Sequence, residues 1–217
     1  MNSKKYFEKV ASHWDTMRKD FFGEDVREKA LDAANLHPGK LAADIGAGTG
    51  FITEGLVNRD LRVIAVDQSE AMLKVIKDKF PSSDLIECRA GEAEKLPVED
   101  NGVDYVFANM YLHHVESPSK AIKEMARILK PGGKLIISDM DKHEFEFLLK
   151  EHHDRWMGFD REDIMKWFTE AGLKNVKVDC VSECCCAESD DSSKTATISI
   201  FVASKRNELI IYPTSFS

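Results

Sequence analysis

Apolar residues recur at three- and four-residue steps at the start of the chain, at Phe7, Val10, Trp14, Met17 and Phe21, which is the spacing of one amphipathic helix face. A second helix is predicted over 25–35, stopping before His37-Pro38-Gly39. From Leu41 onward short apolar runs alternate with amphipathic stretches. Strands are predicted at 41–45, 61–66, 85–89, 103–108, 134–138, 176–181 and 197–203. Helices are predicted at 49–58, 69–80 with Ser69 as N-cap, 118–129, around 143–156, and 161–171. The strands are apolar throughout rather than at every second position, the pattern of a parallel sheet covered on both faces. The last two have no helix between them and are expected to form an antiparallel hairpin. The expected architecture is a Rossmann-like, doubly wound α/β fold: a mainly parallel seven-stranded sheet, a C-terminal hairpin and an N-terminal helical cap. One domain is expected over 1–204, with the cap at 1–37 inside it and a tail at 205–217.

Composition narrows the function. With 30 Lys and Arg against 38 Asp and Glu, the net charge of −8 disfavours a nucleic-acid partner, whose phosphates would be repelled. The N-terminal stretch has no apolar core, so no signal peptide is expected. No apolar run approaches the roughly 20 residues that cross a bilayer. A cytoplasmic protein without a membrane partner, monomeric or homodimeric, is the expectation.

The segment Asp44-Ile-Gly46-Ala47-Gly48-Thr-Gly50 follows a strand and opens a helix. Glycines there let the backbone turn sharply and approach a ligand. A dinucleotide fingerprint would need a third glycine where Phe51 stands, and Asp44 would meet a pyrophosphate with like charge. An ammonium or sulfonium group would instead be stabilised. Asp67, ending the second strand, is placed to accept both hydroxyls of a ribose. The pair points to a nucleoside that carries positive charge and no phosphate.

These residues, in this order, resemble a class I S-adenosylmethionine-dependent methyltransferase of the small single-domain kind, over about residues 4 to 204. The resemblance implies S-adenosyl-L-methionine as cofactor. It assigns Asp44, Gly46, Ala47 and Gly48 to the methionine and ribose parts, Asp67 to the ribose hydroxyls, and Gln68 and Met72 to the side of the adenine. Gly91-Glu92-Ala93 resembles the third-strand motif, where an acid and a backbone amide read the adenine edge; Glu92 stands where Asp is commoner. Asn109 and Met110 fall in the fourth-strand motif beneath the methyl group, and Trp14 matches an aromatic that lies against the cofactor. A transferase of this kind needs a base only if the acceptor must lose a proton, and His113 and His114 are the candidates; as a pair they also read as structural residues or metal ligands.

Cys184, Cys185 and Cys186 form the most individual feature. Three consecutive thiols suit a soft metal or metalloid, and some relatives associated with arsenite or corrinoid acceptors are similar here. A chance run in a poorly ordered polar loop over 182–194 is the plainer reading. Two functions therefore stand open: methyl transfer to a small-molecule or soft (thiol, metalloid or corrinoid-type) acceptor, and a metal- or redox-sensing module on a methyltransferase scaffold.

Overall fold

The computed structural model describes residues 3–146, 149, 154–185 and 196–205. Three short helical pieces precede the sheet: α1 (Ser3–Val10), α2 (Trp14–Met17) and α3 (Glu24–Ala34). The single helix expected from Phe7 to Phe21 is broken, because Ala11-Ser12-His13 forms a turn and Arg18–Asp20 tightens into a 3₁₀ segment. Asn35 ends α3 in the left-handed conformation, at φ 48°.

The sheet then alternates with helices: β1 (Leu41–Ile45), α4 (Phe51–Val57), β2 (Arg62–Asp67), α5 (Glu70–Lys79), β3 (Ile86–Ala90), β4 (Val103–Asn109), α6 (Pro118–Ile128), β5 (Leu129–Met140), α7 (Arg161–Glu170), β6 (Leu173–Cys185) and β7 (Ala196–Lys205). Ser69 caps α5 by accepting a hydrogen bond from the Met72 N–H at 3.3 Å. Five strands run parallel in the order β3-β2-β1-β4-β5, and β7 then β6 continue the sheet antiparallel to their neighbours. Since β7 opposes both, β6 runs in the direction of β5, and its carboxyl end lies at the sheet edge where the parallel strands end.

Both faces are buried. Ala43, Ile45, Ile64, Val66, Val106, Leu135 and Ile137 pack under α6 and α7. Their strand neighbours Ala42, Val63, Tyr105, Phe107 and Ile136 pack under α3 and α4. That is the doubly wound arrangement expected from strands apolar at every position. The order reverses between β1, which pairs with both β2 and β4, so the crevice for a ligand opens at the carboxyl end of β1.

Two expectations about the C-terminal part change. The cysteine loop was expected to begin at Ser182, but pairing of Cys184 with Thr197 and Cys185 with Ala196 carries β6 through Cys185, past an irregularity after Cys180. Cys186 lies outside the described residues, as do 147–148 and 150–153 of the helix expected around 143–156; of its described positions, 143–145 and 154–156 are not helical. Residues 206–217 of the expected tail also lie outside. No described helix is long and apolar enough to cross a membrane.

Candidate cofactor and acceptor site

The glycine loop leaves β1 through two left-handed positions, Gly46 at φ 70° and Gly48 at φ 54°. Side chains with a Cβ rarely adopt either, so the sequence pattern follows from the turn itself. Loop and second strand are tied together: the Gly48 N–H donates to Asp67 Oδ2 at 2.9 Å, and the Ser69 N–H to Asp67 Oδ1 at 2.8 Å. Asp44 is buried beneath the loop and accepts the Thr53 N–H at 2.9 Å and its hydroxyl at 2.7 Å, both on one oxygen. Burial pushes the Asp44 carboxyl up to about 7, against the Thr53 bonds and with help from the Asp67 charge. Burial likewise raises Asp67, against three backbone N–H donors.

The helical cap closes over this loop. Thr49 Oγ1 donates to Asp15 Oδ1 at 2.6 Å, Lys79 pairs with Asp15, and Lys79 Nζ donates to the Thr49 carbonyl at 2.8 Å. These contacts bring the Trp14 indole beside Gly48, with Phe7 edge-on to Trp14 at 5.2 Å and to His114 at 5.0 Å.

Two clefts result. The first, about 50 Å³, is lined by Trp14, Asp44, Gly46, Ala47, Gly48, Asp67, Gln68, Met72, Asn109 and Met110, ten of the thirteen residues the sequence assigned to a cofactor. The second, about 490 Å³, includes Glu92 and Ala93. Gly91 lines neither; its N–H bonds the Asp67 carbonyl at 3.1 Å and its Cα faces Pro97. Gln68, Tyr111 and His114 line both clefts and form the wall between them.

Tyr111 was not singled out from the sequence. Met110 stands at φ 48°, in the left-handed region where a side chain is strained, and delivers the next residue inward. The Tyr111 ring then lies on Gly46, so closely that a Cβ there would be 2.2 Å from Tyr111 Cγ. Its phenol is hydrogen-bonded by the Ala93 backbone, and burial, then the charges of Asp67, Glu94 and Glu92, hold its proton firmly.

Behind His114 lies a buried polar cluster. His113 Nδ1 is 2.7 Å from Asp139 Oδ1, and Asp139 Oδ2 also accepts the Leu112 N–H at 2.8 Å. Asp154 Oδ1 is 3.7 Å from His113 Nε2 and 3.6 Å from His114 Nδ1. Burial alone would lower the His113 imidazolium, but the Asp139 and Asp154 charges raise it above the usual histidine range. Burial pushes the Asp154 carboxyl up to about 6. One ligand atom from each of His113, His114 and Asp154 falls within a 4.8 Å spread, a set compatible with a metal ion. Of the two histidines only His114 reaches the clefts. Asp154 was not foreseen, since it sits 40 residues away in the sequence and carries no motif.

A family model described as a methyltransferase domain matches residues 43–137, from β1 into β5, which takes in the glycine loop, Asp67 and the His113-His114 pair. The chain belongs to the class I S-adenosylmethionine-dependent methyltransferases. It is 40% identical over 119 residues to demethylmenaquinone methyltransferase of Renibacterium salmoninarum, covering 55% of this chain and 49% of that one. It is 35% identical over 161 residues to the chloroplastic 2-methyl-6-phytyl-1,4-hydroquinone methyltransferase of Arabidopsis thaliana, covering 71% and 46%. The chain thus spans about half the length of these relatives. Its fold matches a chain of a Haloferax volcanii methyltransferase–activator complex with a TM-score of 0.79 at 19% identity, covering 96% of this chain and 99% of that one.

S-adenosylmethionine is the cofactor of this methyltransferase family, and the residues present fit it. The first cleft offers Asp44 and a buried Arg18 to a charged amino-acid end, Asp67 stands at its rim for a ribose, and Glu92 with the Ala93 amide lies across Tyr111 in the second. The Tyr111 ring stands between these parts.

Proposed function

We propose that this methyltransferase transfers a methyl group from S-adenosylmethionine to a small aromatic acceptor of the hydroquinone type. The observation that carries the reading is the convergence of both clefts on His114, backed by the buried His113–Asp139 pair. The names of two relatives, a demethylmenaquinone and a phytyl-hydroquinone methyltransferase, support the acceptor class.

When bound, the cofactor supplies a methyl already activated on a sulfonium, so the protein's task is alignment and exclusion of water. Phe7 and Trp14 offer aromatic faces against which a flat ring stacks. His114 takes the proton of a ring hydroxyl, which makes the ring electron-rich toward the methyl. Asp154 lies 3.6 Å from the His114 ring nitrogen and stabilises the charge that results. Asp139 holds the His113 ring at Nδ1 and leaves Nε2 turned to Asp154, and so positions the cluster without touching the acceptor.

A second reading keeps the cysteines. Cys184 and Cys185 close β6 at the sheet edge where the parallel strands end, and Cys180, earlier in β6, pairs with Ser199, the partner of Asp139. A soft acceptor held there would also face the site. The test is transfer of isotopically labelled methyl to a panel of hydroquinones, thiols and arsenite. Label in the hydroquinones supports the first reading; label confined to thiols or arsenite replaces it with the second.

A further inference from the structure

Arg18 is a charged residue in an unusual position. It is only 6% exposed and lines the first cleft. Its head is fixed from two sides: Nη2 donates to Glu24 Oε1 at 3.0 Å, and the guanidinium carbon stands 3.9 Å from the centroid of the Phe51 ring. The remaining donors, Nε and Nη1, are buried and have no hydrogen-bond partner among the described residues. Buried donors are nearly always paired, and an orphaned pair on a cation is costly enough to need a reason. Stacking on Phe51 explains where the head lies but does not satisfy those N–H groups.

The surroundings narrow what would. Asp44 lines the same cleft, and Asp15 is close enough for the Arg18 charge to lower its carboxyl further. A doubly charged phosphate would be repelled by both acids. A carboxylate carried next to an ammonium would not: Arg18 meets the one charge and Asp44 the other. A planar guanidinium suits a carboxylate better than a point cation does.

We propose that Arg18 binds the α-carboxylate of the cofactor's amino-acid end, with Asp44 facing the neighbouring ammonium. The inference rests on the cofactor reading of the first cleft and adds to it a residue outside every motif the sequence displayed.

The experiment is a calorimetric titration of the full chain with two ligands. S-adenosylhomocysteine carries the amino-acid end; 5′-methylthioadenosine is the same nucleoside thioether without it. Arg18→Met keeps the stem over Phe51 and removes the guanidinium, while Arg18→Lys keeps the charge. The expected result is a loss of about 10- to 100-fold in affinity for S-adenosylhomocysteine in Arg18→Met, the size of a hydrogen bond to a charged group. Affinity for methylthioadenosine stays unchanged, and Arg18→Lys recovers part of the loss. Equal weakening of both ligands would show a packing role and overturn the assignment, as would no weakening of either. Binding of S-adenosylhomocysteine by the parent chain reads the cofactor assignment by itself; its absence would overturn both.

Discussion

Tyr111 lies face-on over Gly46, with its ring where any Cβ on that glycine would have to be. The phenol is hydrogen-bonded by the Ala93 backbone on the far side of the wall between the clefts. A ring in this place competes with a ligand that must cross from Asp44 to Glu92. Tyr111→Ala is therefore expected to bind S-adenosylhomocysteine about tenfold more tightly than the parent, because no binding energy is spent on turning the ring aside. Calorimetry reads this directly. Weaker binding would mean that the ring holds the cofactor instead of standing in its way.

Asp44 gives a pH dependence with a definite sign. Burial holds its carboxyl up at about 7, so in the ligand-free fold it is protonated below that value while the unfolded chain is ionised above about 4. Its contribution to stability is thus fully present at acid pH and is lost as pH rises from about 4 to about 7. A cationic ligand favours the ionised form. Cofactor affinity is expected to fall by up to about tenfold per pH unit below 7 and to level off just above it, before the ligand's own ammonium deprotonates. Asp44→Asn should bind more weakly at pH 8 and show no such slope; a slope retained in that variant would assign the titration to another group.

Asp139 touches neither cleft, yet it sets the orientation of His113. Asp139→Asn keeps the size and an acceptor for the Leu112 and His113 N–H groups but weakens the hold on the imidazolium. A drop of at least about tenfold in kcat is expected, with KM for the acceptor and S-adenosylhomocysteine affinity both retained. A parallel loss of cofactor affinity would reveal a structural role alone.

The cysteines provide the discriminating substitution for the acceptor. Replacing Cys184, Cys185 and Cys186 together with Ser should leave transfer to hydroquinones and cofactor affinity within about twofold of the parent, since neither the cofactor cleft nor the hydroquinone reading uses a thiol. Loss of transfer with affinity kept would place the thiols in acceptor handling.

Much of this architecture was legible in the chain because local rules agree with the tertiary outcome. Strands apolar at every position could only be covered on both faces, and Ser69 caps the helix it precedes. The glycines at 46 and 48 are needed where φ is positive, and Asp67 ends β2 as expected. What escaped depends on contacts between distant segments. The Phe7–Phe21 periodicity gives no sign of the turn at 11–13, because the apolar face continues through it. Arg18 and Asp154 are ordinary charged residues until the fold buries them. Tyr111 sits inside a recognisable motif, but its inward direction comes from the backbone of Met110. The extension of β6 through Cys185 follows from pairing with β7, a partner that polar composition conceals.

The central assignment is the cofactor site, and one measurement reaches it most directly: calorimetric titration of S-adenosylmethionine into the parent chain and into an Asp67→Ala, Gly48→Arg double variant. Gly48→Arg forces a side chain into a left-handed position beside the Trp14 indole, and Asp67→Ala removes the carboxylate that ties the loop to β2. One site of micromolar affinity is expected in the parent and no measurable binding in the variant. Full-strength binding by the double variant would contradict the assignment.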